Sequence, residues 1–208
     1  MLLSLEKQFL MIHVPKTGGT SAAKALDSWV VHPPTDRLNK VLCRMHLRKD
    51  PARFMLRVHG GLDYAHKVLP NGLPKSLFKF AFVRNPWDRL VSEYSFVVDR
   101  EIHPRHKEVC KLGSFADYLK YEHERARGRS QVDMLKGPDG KLGMDFVGRF
   151  ENLREDFAEA CSRIGVDATL PHLNRTKHRD FRDYYDNQTR DYVAKHWHQE
   201  IQLFGYDF

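Results

Sequence analysis

Pro15-Lys16-Thr17-Gly18-Gly19-Thr20-Ser21 gathers several anion-binding groups in seven residues. Gly18 and Gly19 let the backbone approach a ligand closely and adopt positive φ. The N–H groups of such a loop, opening into a helix, form an anion site. Lys16 adds a mobile positive charge, and Thr20 and Ser21 add hydroxyl donors. The order of residues is not that of an ATP loop. A Walker A motif places its lysine after the second glycine. Here Lys16 precedes both glycines, and the residue four before Gly18 is Val14. The pattern therefore predicts phosphate-type binding by a loop of another kind. A tight turn with its lysine in solvent is the competing reading.

Two further groups could complete a chemistry. Arg84 follows an apolar run and precedes Asn85-Pro86. Its planar fork suits phosphate oxygens, although a surface ion pair with Asp88 or Glu93 would use the same fork. Histidine is the usual general base near neutral pH, and the chain has 12, so position must choose among them. His59 ends an expected strand, just before Gly60-Gly61. The carboxyl ends of strands line the ligand crevice in α/β sheets. His13, expected to point into the packing or toward the second strand, competes for the role, as do Glu93 and Asp63. Ser130 and Gln131 are expected to face an acceptor. Residues 172–182 form a basic loop carrying His172, Arg175, Lys177, His178, Arg179 and Arg182.

The elements that must position these groups are legible from periodicity. Phe9–Val14 is a short apolar run stopped by Pro15, which reads as a buried strand. Thr20–Val31 reads as the helix after it. Thr35–Leu47 has Leu38, Val41, Leu42 and Met45 at helical spacing, and Met55–His59 reads as a second strand. Leu77–Val83 is the strongest strand pattern. It passes through Asn85 into a helix over Trp87–Val98, with Pro86 at its first position, where the missing N–H costs nothing. Ser114 to Asp117 resembles a capping box for a helix to about Arg127. Phe146–Phe150 reads as a short strand, Leu153–Ile164 as a helix closed by Gly165, and Gln188–Leu203 as the last helix. Strands alternate with helices, so the expectation is an α/β, three-layer fold with a parallel central sheet and a P-loop-like phosphate loop, as one domain over residues 1–208.

With those motifs in place, the chain resembles the carbohydrate-type ("family 2") sulfotransferases. Ile12 to Ser21 looks like that family's 5′-phosphosulfate loop, and Phe82 to Ser92 like its 3′-phosphate motif. Gly148 to Leu153, Leu170 to Asn174 and Leu203 to Phe208 are similar to later segments. The resemblance implies the donor 3′-phosphoadenosine 5′-phosphosulfate (PAPS), which leaves as PAP. It implies that the backbone of Thr17, Gly18, Gly19, Thr20 and Ser21 cradles the 5′-phosphate, with Lys16 at the oxygen bridging phosphorus and sulfur. Arg84 and Ser92 would bind the 3′-phosphate. Asn174, Arg175 and Lys177 would reach the donor from a closing loop. The short Val58-His59-Gly60 match supports His59 as the base, beside Lys16 as the other catalytic residue. The implied acceptor is a sugar hydroxyl.

Composition narrows the rivals. A net charge of +7 suits an anionic ligand, yet no run of five like charges forms a basic tail. Helix–turn–helix, zinc-finger and RNP signals are absent, which argues against nucleic acid. No apolar run approaches the ~20 residues of a membrane span, and the amino terminus meets charge too early for a signal peptide. The 3 cysteines are scattered and form no C-x-x-C, which fits a reducing cytoplasm and no zinc site. Charge on a leaving oxygen can be met by Lys16, so the logic asks for no metal. The alternatives are a P-loop-type nucleotide kinase, which would want a magnesium carboxylate where Arg84 stands, and a sulfotransferase-like protein that binds nucleotide without turnover.

Overall fold

The computed structural model describes residues 1–32, 38, 41–42, 45, 56–70, 72–125, 130–171 and 179–208. Most of the expected Thr35–Leu47 helix lies outside these residues, as do Met55 and residues 172–178. The chain divides into two compact units, residues 1–83 with 133–173, and residues 84–132 with 174–208.

The first unit is built on a four-stranded sheet in the order β1-β2-β3-β4, with β1 Leu2–Ser4, β2 Phe9–Ile12, β3 Phe78–Val83 and β4 Phe146–Arg149. β2, β3 and β4 are parallel, as Ile12 pairs with Ala81 and Val83 with Arg149. β1 is antiparallel to β2, so the sheet is mixed rather than wholly parallel. β1 escapes sequence reading because three residues carry too little period, and its return turn uses Gln8 at φ 51 in place of a glycine. The expected strand at Met55–His59 does not form over its described residues. Leu56 and Arg57 are irregular, and Val58 and His59 lie in a turn that Gly60 N closes on Arg57 O at 3.1 Å.

The alternation along β2 and β3 explains the layers. Phe9, Met11, Phe80 and Phe82 project to one face. There they pack with Ala22 in the middle of α1 (Gly19–Ala25), with Leu26 just beyond its end, and with Phe157, Ala160 and Ile164 of a helix over Leu153–Ile164. Leu10, Ile12, Ala81 and Val83, on the opposite face, are equally buried. A sheet covered on both faces needs continuous apolar strands, which is why these read as unbroken runs. Each buried large side chain contributes about 1.5–3 kcal/mol. α2 (Leu62–Val68) and α3 (Leu73–Ser76) lead into β3.

The second unit is helical among its described residues. α4 (Pro86–Val98), α5 (His106–Val109) and α6 (Phe115–Arg125) are followed by α7 (Gln131–Leu135), which runs back into the first unit. The Leu153–Ile164 helix is α8 of the first unit, closed by Gly165 at φ 64 as expected. α9 (Asn187–His196) and α10 (His198–Phe204) complete the second. The expected last helix is thus two, broken at Trp197. Trp87, Leu90, Tyr118, Leu119, Val193 and Trp197 form the second unit's core. Asn85 caps α4 by accepting from Trp87 N at 3.0 Å, and Pro86 holds the first position as expected. Among the described residues no helix is long and apolar enough to cross a membrane.

Candidate functional site

The loop after β2 turns by local geometry. Lys16 has φ 67 and Gly18 φ 81, two left-handed residues separated by one. Left-handed backbone at a non-glycine costs about 1–3 kcal/mol and persists where surrounding structure enforces it. The Thr17 hydroxyl supplies part of that enforcement by donating to Val14 O at 2.9 Å, fully buried. Thr17 therefore has only its main-chain N–H to offer an anion. Ala22 N and Ser21 N both return to Gly18 O and close the first turn of α1. The N–H groups ahead of those bonds have no acceptor inside the helix. Ser21 is buried and Thr20 exposed, so the two hydroxyls do not share an environment.

Neither glycine admits a Cβ unless a neighbouring side chain moves. A Cβ on Gly18 would stand 2.3 Å from Leu153 Cδ2, and one on Gly19 2.1 Å from His13 Cδ2. The second contact places the His13 imidazole on the main chain of the loop, where the sequence had it pointing into packing or toward a strand. His13 is buried, and burial pulls its pKa down to about 3, with the charges of His59 and the amino terminus acting in the same direction. It is a neutral ring at ordinary pH.

His59 is exposed and meets His13 edge-on, with ring centroids 4.7 Å apart. Its Nδ1 lies 3.0 Å from the His13 carbonyl oxygen. A carbonyl oxygen can only accept, so Nδ1 carries the hydrogen and Nε2 is left as the proton acceptor. That tautomer is what a general base requires. Of the competing carboxylates, Glu93 is paired with Arg105, and Asp63 with Lys67.

In the second unit Arg84 is buried and forked onto Asp88, with Nε to Oδ2 at 2.7 Å and Nη2 to Oδ1 at 2.8 Å. The competing ion pair exists, but buried rather than on the surface. Positions 84, 88 and 92 lie four residues apart, so Ser92 follows Asp88 along one face of α4. Ser92 is 1% exposed, and its hydroxyl has no hydrogen-bond partner among the described residues. A buried orphan hydroxyl beside an arginine–carboxylate pair fits an incoming phosphate oxygen. Gln131, expected to face an acceptor, is instead fully buried, and its carboxamide is engaged with the main chain of Arg84 and with Glu200. Glu200 drew no attention in the sequence because nothing local links residue 200 to residue 84. Asn174, Arg175 and Lys177 lie outside the described residues. No three of His, Cys, Asp and Glu come together as metal ligands among the described residues.

A mixed sheet whose second strand runs through a left-handed glycine turn into a helix defines an α/β protein. The family model for the sulfotransferase family matches residues 1–207, and the chain belongs to that family. It is thereby a sulfotransferase by family. The fold is similar to that of a mouse sulfotransferase, SULT7A1, solved in complex with PAP. The TM-score is 0.58 at 13% identity, covering 96% of this chain and 86% of that one. A sulfotransferase from Alicyclobacillus acidocaldarius aligns at 16% identity over 97% of this chain and 96% of its own, with a TM-score of 0.47. An uncharacterized protein of Archaeoglobus fulgidus is 30% identical over 109 residues, which are 50% of this chain and 83% of that protein.

Proposed function

We propose that the chain transfers a sulfuryl group from PAPS to a hydroxyl of a carbohydrate or glycan, acting in the cytoplasm as one sulfotransferase domain over residues 1–208. The observation that carries the donor assignment is the left-handed backbone at Lys16 and Gly18, in the turn between β2 and α1. The backbone from Thr17 to Ser21 holds the 5′-phosphate. Arg84 and the orphan hydroxyl of Ser92 take the 3′-phosphate, Arg84 sharing its fork with Asp88. Asn174, Arg175 and Lys177 close on the donor.

PAPS supplies an activated sulfur–oxygen bond. As that bond breaks, Lys16 neutralises the charge that builds on the departing bridge oxygen. Nε2 of His59 takes the proton from the acceptor hydroxyl as its oxygen bonds to sulfur. Nδ1–H stays on the His13 carbonyl and keeps the ring in the accepting tautomer. His13 itself, buried and neutral, adds no charge beside the base. Transfer of this type depends on positioning and charge stabilisation, much as phosphoryl transfer does. The sugar acceptor is supported by the net charge of +7, which favours an acidic glycan.

The test is a melting titration, since a ligand of the native state raises Tm. PAP should shift Tm upward, and ATP with magnesium should do little. Equal or reversed responses would overturn the donor assignment and favour a kinase. A PAP shift without sulfate transfer to any of a panel of oligosaccharides, phenols and tyrosine peptides would leave a nucleotide-binding relative. Transfer to phenols or peptides alone would overturn the sugar acceptor.

A further inference from the structure

Beyond the end of β3 the sheet ladder stops, because Val83 is the last residue paired with β4. Arg84 follows immediately, and its main-chain groups are buried without a strand beside them. A buried peptide left unpaired there would be costly. Gln131 answers for the missing strand. Its Oε1 accepts from Arg84 N at 2.9 Å, and its Nε2 donates to Arg84 O at 2.9 Å. One carboxamide thus pairs both main-chain groups of one residue, as the next rung of a ladder would.

The carboxamide is itself held. Its second Nε2 hydrogen goes to Glu200 Oε2 at 2.7 Å, while the Gln131 main-chain N–H goes to Glu200 Oε1 at 2.6 Å. Only one orientation of the side chain satisfies these partners. Reversing it would turn NH2 on the Arg84 N–H and oxygen on both a carbonyl and a carboxylate. Glu200 is 1% exposed, and the Arg89 guanidinium lies 3.8 Å from its Oε2. Asn85, the next residue, is tied independently to the carboxy-terminal segment, since its Nδ2 donates to Asp207 O at 2.7 Å. Two consecutive residues at the start of α4 are therefore fixed by residues far along the chain.

We propose that Gln131 and Glu200 are positioning residues for the 3′-phosphate, holding the main chain of Arg84 so that its side chain meets that phosphate in one geometry. This rests on the donor reading above. Neither residue touches the ligand in this proposal. Both act through Arg84, and the network is buried on all sides, so its effect is confined to the one phosphate that Arg84 serves.

A comparison of two nucleotides isolates the effect. PAP carries the 3′-phosphate and AMP lacks it. Calorimetric titration of the wild type should give tighter binding of PAP than of AMP. In Gln131→Ala the PAP affinity should fall about tenfold, the scale on which one buried hydrogen bond acts. AMP affinity should stay within a factor of about two, so the preference for PAP collapses. Glu200→Gln keeps the buried volume and should reduce the preference in the same sense by a smaller factor. It carries the test if Gln131→Ala does not fold. Loss of both ligands in parallel, or an unchanged PAP-to-AMP ratio in a folded variant, overturns the proposal. A wild type that does not prefer PAP overturns the donor reading instead, and the two failures are distinguishable.

Discussion

The loop at Pro15–Ser21 and the neighbourhood of Arg84 are each proposed to hold one phosphate of the same donor, and they are made from different material. The first is seven contiguous residues whose binding groups belong mostly to the main chain. Its specificity lies in backbone conformation, with left-handed turns at Lys16 and Gly18 and glycines pressed against His13 and Leu153. The second is made of side chains. Arg84 is aimed by Asp88 through the fork and by Gln131 and Glu200 through its main chain. A main-chain site tolerates change in its side chains but not in its turns. A side-chain site tolerates change in its turns but not in its partners.

The sharpest way to break that contrast is at the two side chains proposed to act in the chemistry, Lys16 of the loop and His59, which packs on His13. His59→Ala should cut turnover by about 10²–10⁴-fold, the range of a general base, and Lys16→Ala by about 10²–10³-fold, the range of one oxyanion donor. PAP binding should survive both, because main-chain groups carry it. Steady-state assay beside calorimetry reads the split. If PAP affinity falls as far as turnover in Lys16→Ala, the loop binds through its lysine and the contrast fails.

The next largest effect is on stability toward acid. His13 has its folded pKa near 3, below its ordinary 6.5. The unfolded chain therefore binds the extra proton between those values. Stability from the buried neutral ring is complete above pH 6.5 and is lost as pH falls toward 3, by on the order of a few kcal/mol. His13→Gln should flatten that acid limb in denaturation curves taken from pH 7 to 4. An unchanged slope would mean that other groups carry it.

Gly18→Ala should destabilise by about 1–3 kcal/mol, from positive φ together with the Leu153 contact. Denaturant midpoints would show this, and PAP binding should weaken as well. Ser92→Ala should behave in the opposite way. Its hydroxyl is buried without a partner among the described residues, so removing it should leave stability unchanged or raise it by up to about 1 kcal/mol. PAP should bind more weakly. A loss of Tm with unchanged PAP affinity would make Ser92 a packing residue and remove it from the 3′ site.

The contrast also explains which features are legible in the sequence alone. β2, β3, β4 and α8 were read close to their limits, because apolar runs, proline stops and a glycine cap are local signals. β1 was missed for want of length, and the supposed strand before His59 proved to be a turn over its described residues. His59 is held instead by the carbonyl of His13, 46 residues away, rather than by a neighbouring strand. Gln131, expected to face the acceptor, is fully buried. Its partners lie 47 and 69 residues away and leave no trace in spacing.

By itself the sequence determined the glycine turn between β2 and α1, the strands β2 and β3, and the absence of a lysine in the ATP-type place, because φ preference and main-chain pairing depend on residues close in the chain. Only the tertiary structure decided which histidine packs on the loop, which tautomer His59 holds, and that Arg84 is buried and pinned by Gln131 and Glu200. Those are hydrogen bonds and burials between distant residues, and their free energy exists only once the intervening chain has been closed into the fold.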